Sequence, residues 1–260
     1  MTARKIPEQI FRGVFDDFSS TNADLEPYLS PVWIEKSLAS LKLAKDYSII
    51  QDSPYLSSNL KSKEYLLNTS IFSLKELSSI SVADVGGNLG QEYFWALRYM
   101  PYLEGKLEWI VYENKELMNI GREKLAHIPK LKFVDFLDAK RLNVEILHFG
   151  SVIQYFNDWK ETIRNYDHLH SPKYIVCSDV MAGANSEIVT TQFYYGKVMP
   201  FRFLNENTFF EFMGALGFNL KFAEDYIHEK TQLYFQNLPS EDLRKFKCSR
   251  NYIFERQPEK

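Results

Sequence analysis

The stretch ISVADVGGNLGQ, Ile80 to Gln91, decides how the rest of the chain is read. Its first half is an apolar run interrupted by Asp84, the pattern of a buried strand. Gly86, Gly87, Asn88 and Gly90 follow, and QEYFWALRYM from Gln91 to Met100 has the composition of a helix. Strand, glycine turn and helix form one unit. Glycine reaches positive φ without steric cost and lets backbone approach a ligand, and Asn is among the few other residues that tolerate that region. The N–H groups opening the next helix form a site for a carboxylate or phosphate. The unit therefore points to a nucleotide-like cofactor at the carboxyl end of a parallel strand. The competing reading is a tight turn made for packing alone.

Spacing separates two kinds of cofactor site. A dinucleotide fingerprint, Gly-x-Gly-x-x-Gly, counted from Gly86 meets Asn88 and Gln91 where glycine is required. Asp84-Val85-Gly86-Gly87-Asn88-Leu89-Gly90 instead resembles the first motif of class I S-adenosylmethionine-dependent methyltransferases, acidic-x-Gly-x-Gly-x-Gly, with Asn88 at the middle glycine. The resemblance implies S-adenosyl-L-methionine as cofactor, with Asp84, Gly86, Gly87, Asn88 and Gly90 among the residues that bind it.

KLEWIVYE, Lys106 to Glu113, is the next predicted strand. Glu113 closes it about 20 residues beyond the turn, where an acidic side chain accepts hydrogen bonds from ribose in Rossmann-like folds. The alternative is a solvated acid before a helix capped by Asn114. Under the methyltransferase resemblance Glu113 takes the ribose role and Asn114 joins the cofactor set. Asp135, near the end of KLKFVDF, then bonds the adenine amino group, with Phe136 against the ring. Turn or cap chemistry is the alternative for Asp135 and nearby Asp138. Ser151, just past the strand VEILHFG, completes the cofactor set, because ligands in open α/β sheets bind outside the carboxyl ends of the strands.

At 260 residues the chain is long enough for one large α/β domain with an N-terminal extension. A net charge of −3 from 31 basic and 34 acidic residues carries no electrostatic signature of nucleic-acid binding. Cys177 and Cys248 have neither metal nor redox spacing, and a reduced, cytoplasmic protein is expected. No signal-peptide pattern opens the sequence and no apolar stretch is long enough to span a bilayer. His127, His168, His170 and His228 lie at unrelated spacings, so no metal site is assigned.

From about Ser70 helical and strand signals alternate. This predicts a Rossmann-like α/β fold: a seven-stranded, mostly parallel sheet with helices on both faces. FNLKFAEDYI from Phe218 and RNYIFER from Arg250 follow without a confident helix between them, which suits an antiparallel last strand at the sheet edge, as in class I methyltransferases. Residues 1–70 are read as an N-terminal helical extension or cap and 71–260 as the methyltransferase domain. Within the extension, Trp33, Leu38, Leu41 and Leu43 fall near helical spacing after Pro31, and Gln51 to Glu64 reads as a loop.

More closely, the chain resembles a family of bacterial methyltransferases often associated with surface-polysaccharide gene clusters. FRGVFDDF from Phe11, VADVGGNLG from Val82, LHFGSVIQYFNDW from Leu147 and the TTQ of Thr190 to Gln192 carry it. The resemblance implies fold and cofactor; taken with the aromatic segment at Tyr194 to Phe203, it leads to the expectation of O-methylation of a sugar or other small polar acceptor. An NAD(P)-dependent oxidoreductase, disfavoured by Asn88 and Gln91, and a catalytically silent methyltransferase-like binding protein are the alternatives. A hydroxyl acceptor must lose a proton, and His148 and Asp179, at the ends of two strands, are the candidate bases. Their competing readings are a packed histidine and a capping acid. The aromatic segment QFYYGKVMPFRF from Gln192 is placed to cover an acceptor pocket, with Tyr194, Tyr195 and Phe201 stacking on a sugar.

Overall fold

The computed structural model describes residues 10–24, 30–46, 65–184, 186–194, 196–226, 241, 246 and 248–258. Seven strands form the central sheet: β2 (Ile80–Val85), β3 (Leu107–Tyr112), β4 (Leu131–Phe133), β5 (Ile146–Gly150), β6 (Tyr174–Val180), β10 (Phe218–Tyr226) and β11 (Ser249–Arg256). Their order is β10-β11-β6-β5-β2-β3-β4. β2 to β6 pair in parallel, whereas β11 runs antiparallel to both β6 and β10. The order reverses at β2, which has β3 on one side and β5 on the other. Such a switch point opens a crevice at the carboxyl ends of the strands.

The antiparallel last strand is present, but its expected place at the edge is corrected. β11 lies between β6 and β10, and β10 forms the edge. The reason is burial. Asn251, Tyr252 and Phe254 of β11 are buried, whereas residues 219–222 of β10 are exposed, in keeping with β11 having a strand on each side and β10 on one side alone.

Strand alternation distributes side chains to two cores. Ile80, Val82 and Trp109 pack with residues of α2 (Tyr65–Ser73), α3 (Gln91–Tyr99) and α4 (Lys115–Lys124). Ala83, Val85 and Ile110 face α5 (Trp159–His170) and α6 (Glu206–Ala215), through Trp159, Ile163 and Phe209. Helix α1 (Pro31–Asp46) lies against α3, where Arg98 Nη2 donates to the Ala44 carbonyl at 3.1 Å.

A second sheet has the order β1-β8-β9-β7, built from β1 (Phe11–Phe15), β7 (Ala182–Gly183), β8 (Ile188–Tyr194) and β9 (Lys197–Asn205). The aromatic segment is thus part of a hairpin, in which Met199, Phe201 and Phe203 alternate inward. β1 pairs antiparallel with β8, with Phe11 opposite Gln192. Phe11 packs 4.9 Å from Phe201 and 5.1 Å from Phe203 between ring centroids. The N-terminal segment therefore supplies a strand as well as α1 and α2. The loop expected at 51–64, and the roles considered for Tyr195 and His228, fall outside the described residues.

Candidate cofactor and acceptor site

The glycine turn is shaped by contacts the sequence does not display. Gly86 has φ of +71° and donates its N–H to the Tyr112 carbonyl at 2.8 Å. Asn88, at the motif's middle glycine, adopts φ of +52°, within the region Asn tolerates. Gly87 is required by close approach, since a Cβ there would lie 2.5 Å from Asp84 Oδ2. Gly90, in the left-handed region, leads into α3, whose first turn has no side-chain cap.

Glu113 sits beside this turn and is bonded into it. Its Oε2 accepts from the Asn88 backbone N–H at 3.1 Å, and its Oε1 accepts from the Asn114 backbone N–H at 2.8 Å. Burial pushes its carboxyl above the usual range, against the lowering effect of those bonds. Asn114 caps α4, its Oδ1 accepting from the N–H groups of Glu116 and Leu117.

Beneath the turn a buried polar row crosses four parallel strands. Trp109 Nε1 donates to Asp84 at 3.0 Å, Asp84 Oδ1 lies 2.8 Å from His148 Nδ1, and His148 Nε2 lies 3.1 Å from Ser178 Oγ. Asp84 and His148 are 1% and 3% exposed. Neither lines the cavity described below; they underlie its floor. His148, considered as a base from its strand-end position, thus has both ring nitrogens occupied by protein groups.

Asp179 is placed differently. It has φ of +54° at the end of β6 and lines the cavity. Its Oδ2 accepts from Ser151 Oγ at 2.6 Å, its other oxygen accepts from Ser249 Oγ, and its N–H donates to Asn251 Oδ1 at 2.7 Å. Ser151, itself at φ of +57°, also lines the cavity. β5, β6 and β11 together fix this carboxylate.

One cavity of about 630 Å³ joins these groups. Gly86, Asn88, Glu113 and Asn114 of the glycine turn and the end of β3 line it, with Ser151 and Asp179 from the ends of β5 and β6 and Phe11, Met199 and Phe201 from the small sheet. Of the anticipated cofactor residues, Asp84, Gly87 and Gly90 shape the turn from behind. Asp135 and Phe136 lie off the cavity: Asp135 caps a short turn by accepting from the Leu137 N–H, and Phe136 packs on Tyr166, 4.7 Å between centroids. Tyr112 and Tyr166 are the aromatic groups that line the cofactor side instead. Ser37, Gln91 and Gln154, outside the anticipated cofactor set, also line it. Gln154 was visible as an amide inside the apolar run VIQYF, but nothing in the sequence marks Ser37, which α1 brings in from a distant segment.

Polar atoms along this wall lack partners. Asn88 Oδ1, Gln91 Oε1, Ser37 Oγ and Gln154 Oε1 are buried and unbonded within the protein, in an interior where such groups are normally satisfied. A polar ligand that threads the cavity meets that demand. Among the described residues no cluster suited to a metal ion occurs, no helix is long and apolar enough to cross a membrane, and Cys177 and Cys248 are free thiols.

No family model matches the chain, and no curated protein matches it in sequence. Its fold does have solved counterparts. It aligns with the magnesium protoporphyrin IX methyltransferase of Synechocystis PCC 6803 with bound S-adenosylhomocysteine at a TM-score of 0.53 and 10% identity, over 90% of this chain and 100% of that one. It aligns with the Burkholderia thailandensis 1,6-didemethyltoxoflavin-N1-methyltransferase, holding its acceptor and S-adenosylhomocysteine, at a TM-score of 0.50 and 12% identity, over 91% and 94% of the two chains. At these identities the likeness is one of fold, and that fold is the Rossmann-like fold of S-adenosylmethionine-dependent methyltransferases.

Proposed function

We propose that this protein is an S-adenosylmethionine-dependent methyltransferase that acts on a hydroxyl of a sugar or other small polar acceptor. The observation that carries this reading is the continuity of the site: a glycine turn with a bonded acid beside it shares one cavity with an oriented carboxylate. Gly86, Asn88, Glu113 and Asn114 would hold the cofactor, with Glu113 accepting from ribose hydroxyls. When bound, that cofactor supplies a methyl group already activated on a sulfonium.

The chain's remaining tasks are to align the acceptor, exclude water and take a proton. With the cofactor held by Gly86, Asn88, Glu113 and Asn114, the acceptor oxygen would take up its methyl group and give its proton to the protein. Asp179 is the proposed proton acceptor, held in place by Ser151 and Ser249. His148 is a positioning residue that braces Asp84 beneath the turn. The family resemblance adds surface-polysaccharide synthesis as the setting.

Incubation with methyl-labelled cofactor and cell extract, followed by identification of the labelled product, tests the reaction. Label is expected on a small molecule or glycan, and label on protein or nucleic acid contradicts the reading. Asp179→Asn is expected to lower turnover by about 10²–10⁴-fold while cofactor affinity stays nearly unchanged. Cofactor binding with no transfer to any acceptor supports the silent binding protein instead.

A further inference from the structure

The acceptor part of the cavity asks for hydrogen-bond donors. Gln154 lies on the short turn Ile153–Tyr155 that follows β5, is 2% exposed and lines the cavity. Its Nε2 donates to the Asp179 backbone carbonyl at 3.2 Å. That bond sets the amide's orientation, because the reversed amide would oppose two carbonyl oxygens. Gln154 Oε1 is then left without a partner. Beside it stands the Asp179 carboxylate, which when ionised only accepts.

The surrounding walls are apolar and rich in aromatic rings. Phe11, Met181, Met199 and Phe201 line them. Tyr155 lines them too, its hydroxyl donated to Gln192 Oε1 at 2.7 Å. Among the described residues the charged side chains on the cavity are Lys36, Glu113 and Asp179. Lys36 belongs to α1 and Glu113 to the turn at the end of β3, whereas Asp179 is tied to Gln154 itself through its backbone carbonyl, so the charge beside Gln154 is the Asp179 carboxylate. An anionic group placed there meets a like charge.

We propose that Gln154 is the specificity-determining residue for the acceptor, and that the acceptor is an uncharged ring bearing neighbouring O–H or N–H donors, presented without a phosphate or nucleotide. One donor bonds Gln154 Oε1, the hydroxyl to be methylated faces Asp179, and the ring lies against the aromatic and methionine walls. This rests on the methyltransferase reading. It places the step after a reaction that yields a free ring or glycoside, such as glycosyl transfer or phosphate-ester hydrolysis, and not directly after a phosphorylation.

The test uses the full chain saturated with S-adenosylhomocysteine, whose binding is measured in the same samples. Methyl α-glucopyranoside, catechol, their fully O-methylated counterparts and glucose 1-phosphate are the probes, followed by ligand-observed NMR. At least one hydroxylated probe is expected to bind, about tenfold or more tighter than its methyl ether, with glucose 1-phosphate no tighter than the glucoside. Gln154→Met, close in shape, is expected to erase that preference while S-adenosylhomocysteine still binds. The wild-type comparison stands by itself should the variant not fold. Equal binding of hydroxylated and methylated probes, tighter binding of the phosphate, a preference that survives Gln154→Met, or no hydroxylated probe binding to the saturated protein each overturns the proposal. Failure of S-adenosylhomocysteine to bind is a distinct outcome, which overturns the methyltransferase reading beneath it.

Discussion

Glu113 is part of the scaffold and, under the proposed function, a ligand contact as well. Its carboxylate ties the end of β3 to the glycine turn through the Asn88 N–H, and its burial raises its pKa. A raised native value means that the folded chain binds the proton more tightly than the unfolded one. The stabilisation is therefore fully present below the ordinary value of 4.5 and is lost as pH climbs through the raised one. Ribose hydroxyls donating to Glu113 favour its charged form, so affinity for S-adenosylhomocysteine is expected to rise with pH across the same window. Calorimetric titrations should show that slope in the wild type and lose it in Glu113→Gln. Glu113→Ala is expected to weaken binding by about 1–3 kcal/mol, the cost of leaving polar groups unpaired; unchanged titrations would reduce the acid to a strand-end residue. His148 makes the complementary case. His148→Ala leaves Asp84 buried with Trp109 as its one side-chain partner among the described residues, and a loss of at least about 1–3 kcal/mol in unfolding free energy is expected by denaturant titration. A variant as stable as the wild type would show that the row carries no load. The sequence named both residues as candidates for chemistry. Glu113 was legible because its distance from a local motif is fixed by one βα unit. The bracing of His148 was not, because it depends on which strands become neighbours.

At the level of elements, the glycine turn and the small sheet both contribute to the wall of the cavity. A Cβ on Gly86 would stand 2.7 Å from Val152 Cγ2, and on Gly90 it would stand 3.0 Å from Leu131 Cδ1, both at φ of +71°. Gly86→Val and Gly90→Val are therefore expected to abolish cofactor binding by displacing the turn. Retained binding in either variant would show that the turn does not approach the ligand. β1 is held to the hairpin by side chains as well as backbone, with Thr190 Oγ1 donating to the Gly13 carbonyl at 2.7 Å and Thr191 Oγ1 to the Arg12 carbonyl at 2.8 Å. Phe11→Ala removes a ring from the separate cluster that Phe11 forms with Phe201 and Phe203, and a destabilisation of up to about 3–5 kcal/mol is expected, with faster hydrogen exchange confined to β1 and the hairpin. Uniform acceleration across the central sheet would contradict the separate standing of this cluster. The aromatic richness of QFYYGKVMPFRF pointed to a wall of the pocket. Its folding as a hairpin against Phe11 was not legible, since the partner strand lies about 180 residues away, as the Arg12 to Thr191 bond shows. Pairing at that range leaves no periodic trace in either segment.

For the whole molecule, alternation of strand and helix was enough to indicate a parallel sheet wrapped on both faces, because each βα unit is local. The place of β11 was not, because it depends on competition between two late strands for β6, decided by burial. The same division holds for the site. The turn and Glu113 belong to neighbouring units, whereas the cavity wall also takes Ser37 from α1, Gln154 from the turn after β5 and Phe11 from β1. The fold alone does not choose among ligands; the spacing at Asn88 and Gln91 favours the sulfonium cofactor over a dinucleotide. Thermal unfolding with S-adenosylmethionine, S-adenosylhomocysteine, NAD and NADP in parallel tests this most directly, since a ligand that binds only the native state stabilises it by about 2.7 kcal/mol at a hundredfold excess over Kd. Both sulfur ligands are expected to raise the melting temperature in a saturable way while the dinucleotides leave it unmoved. A rise with NAD or NADP and none with either sulfur ligand would contradict the account and return the chain to the dehydrogenases.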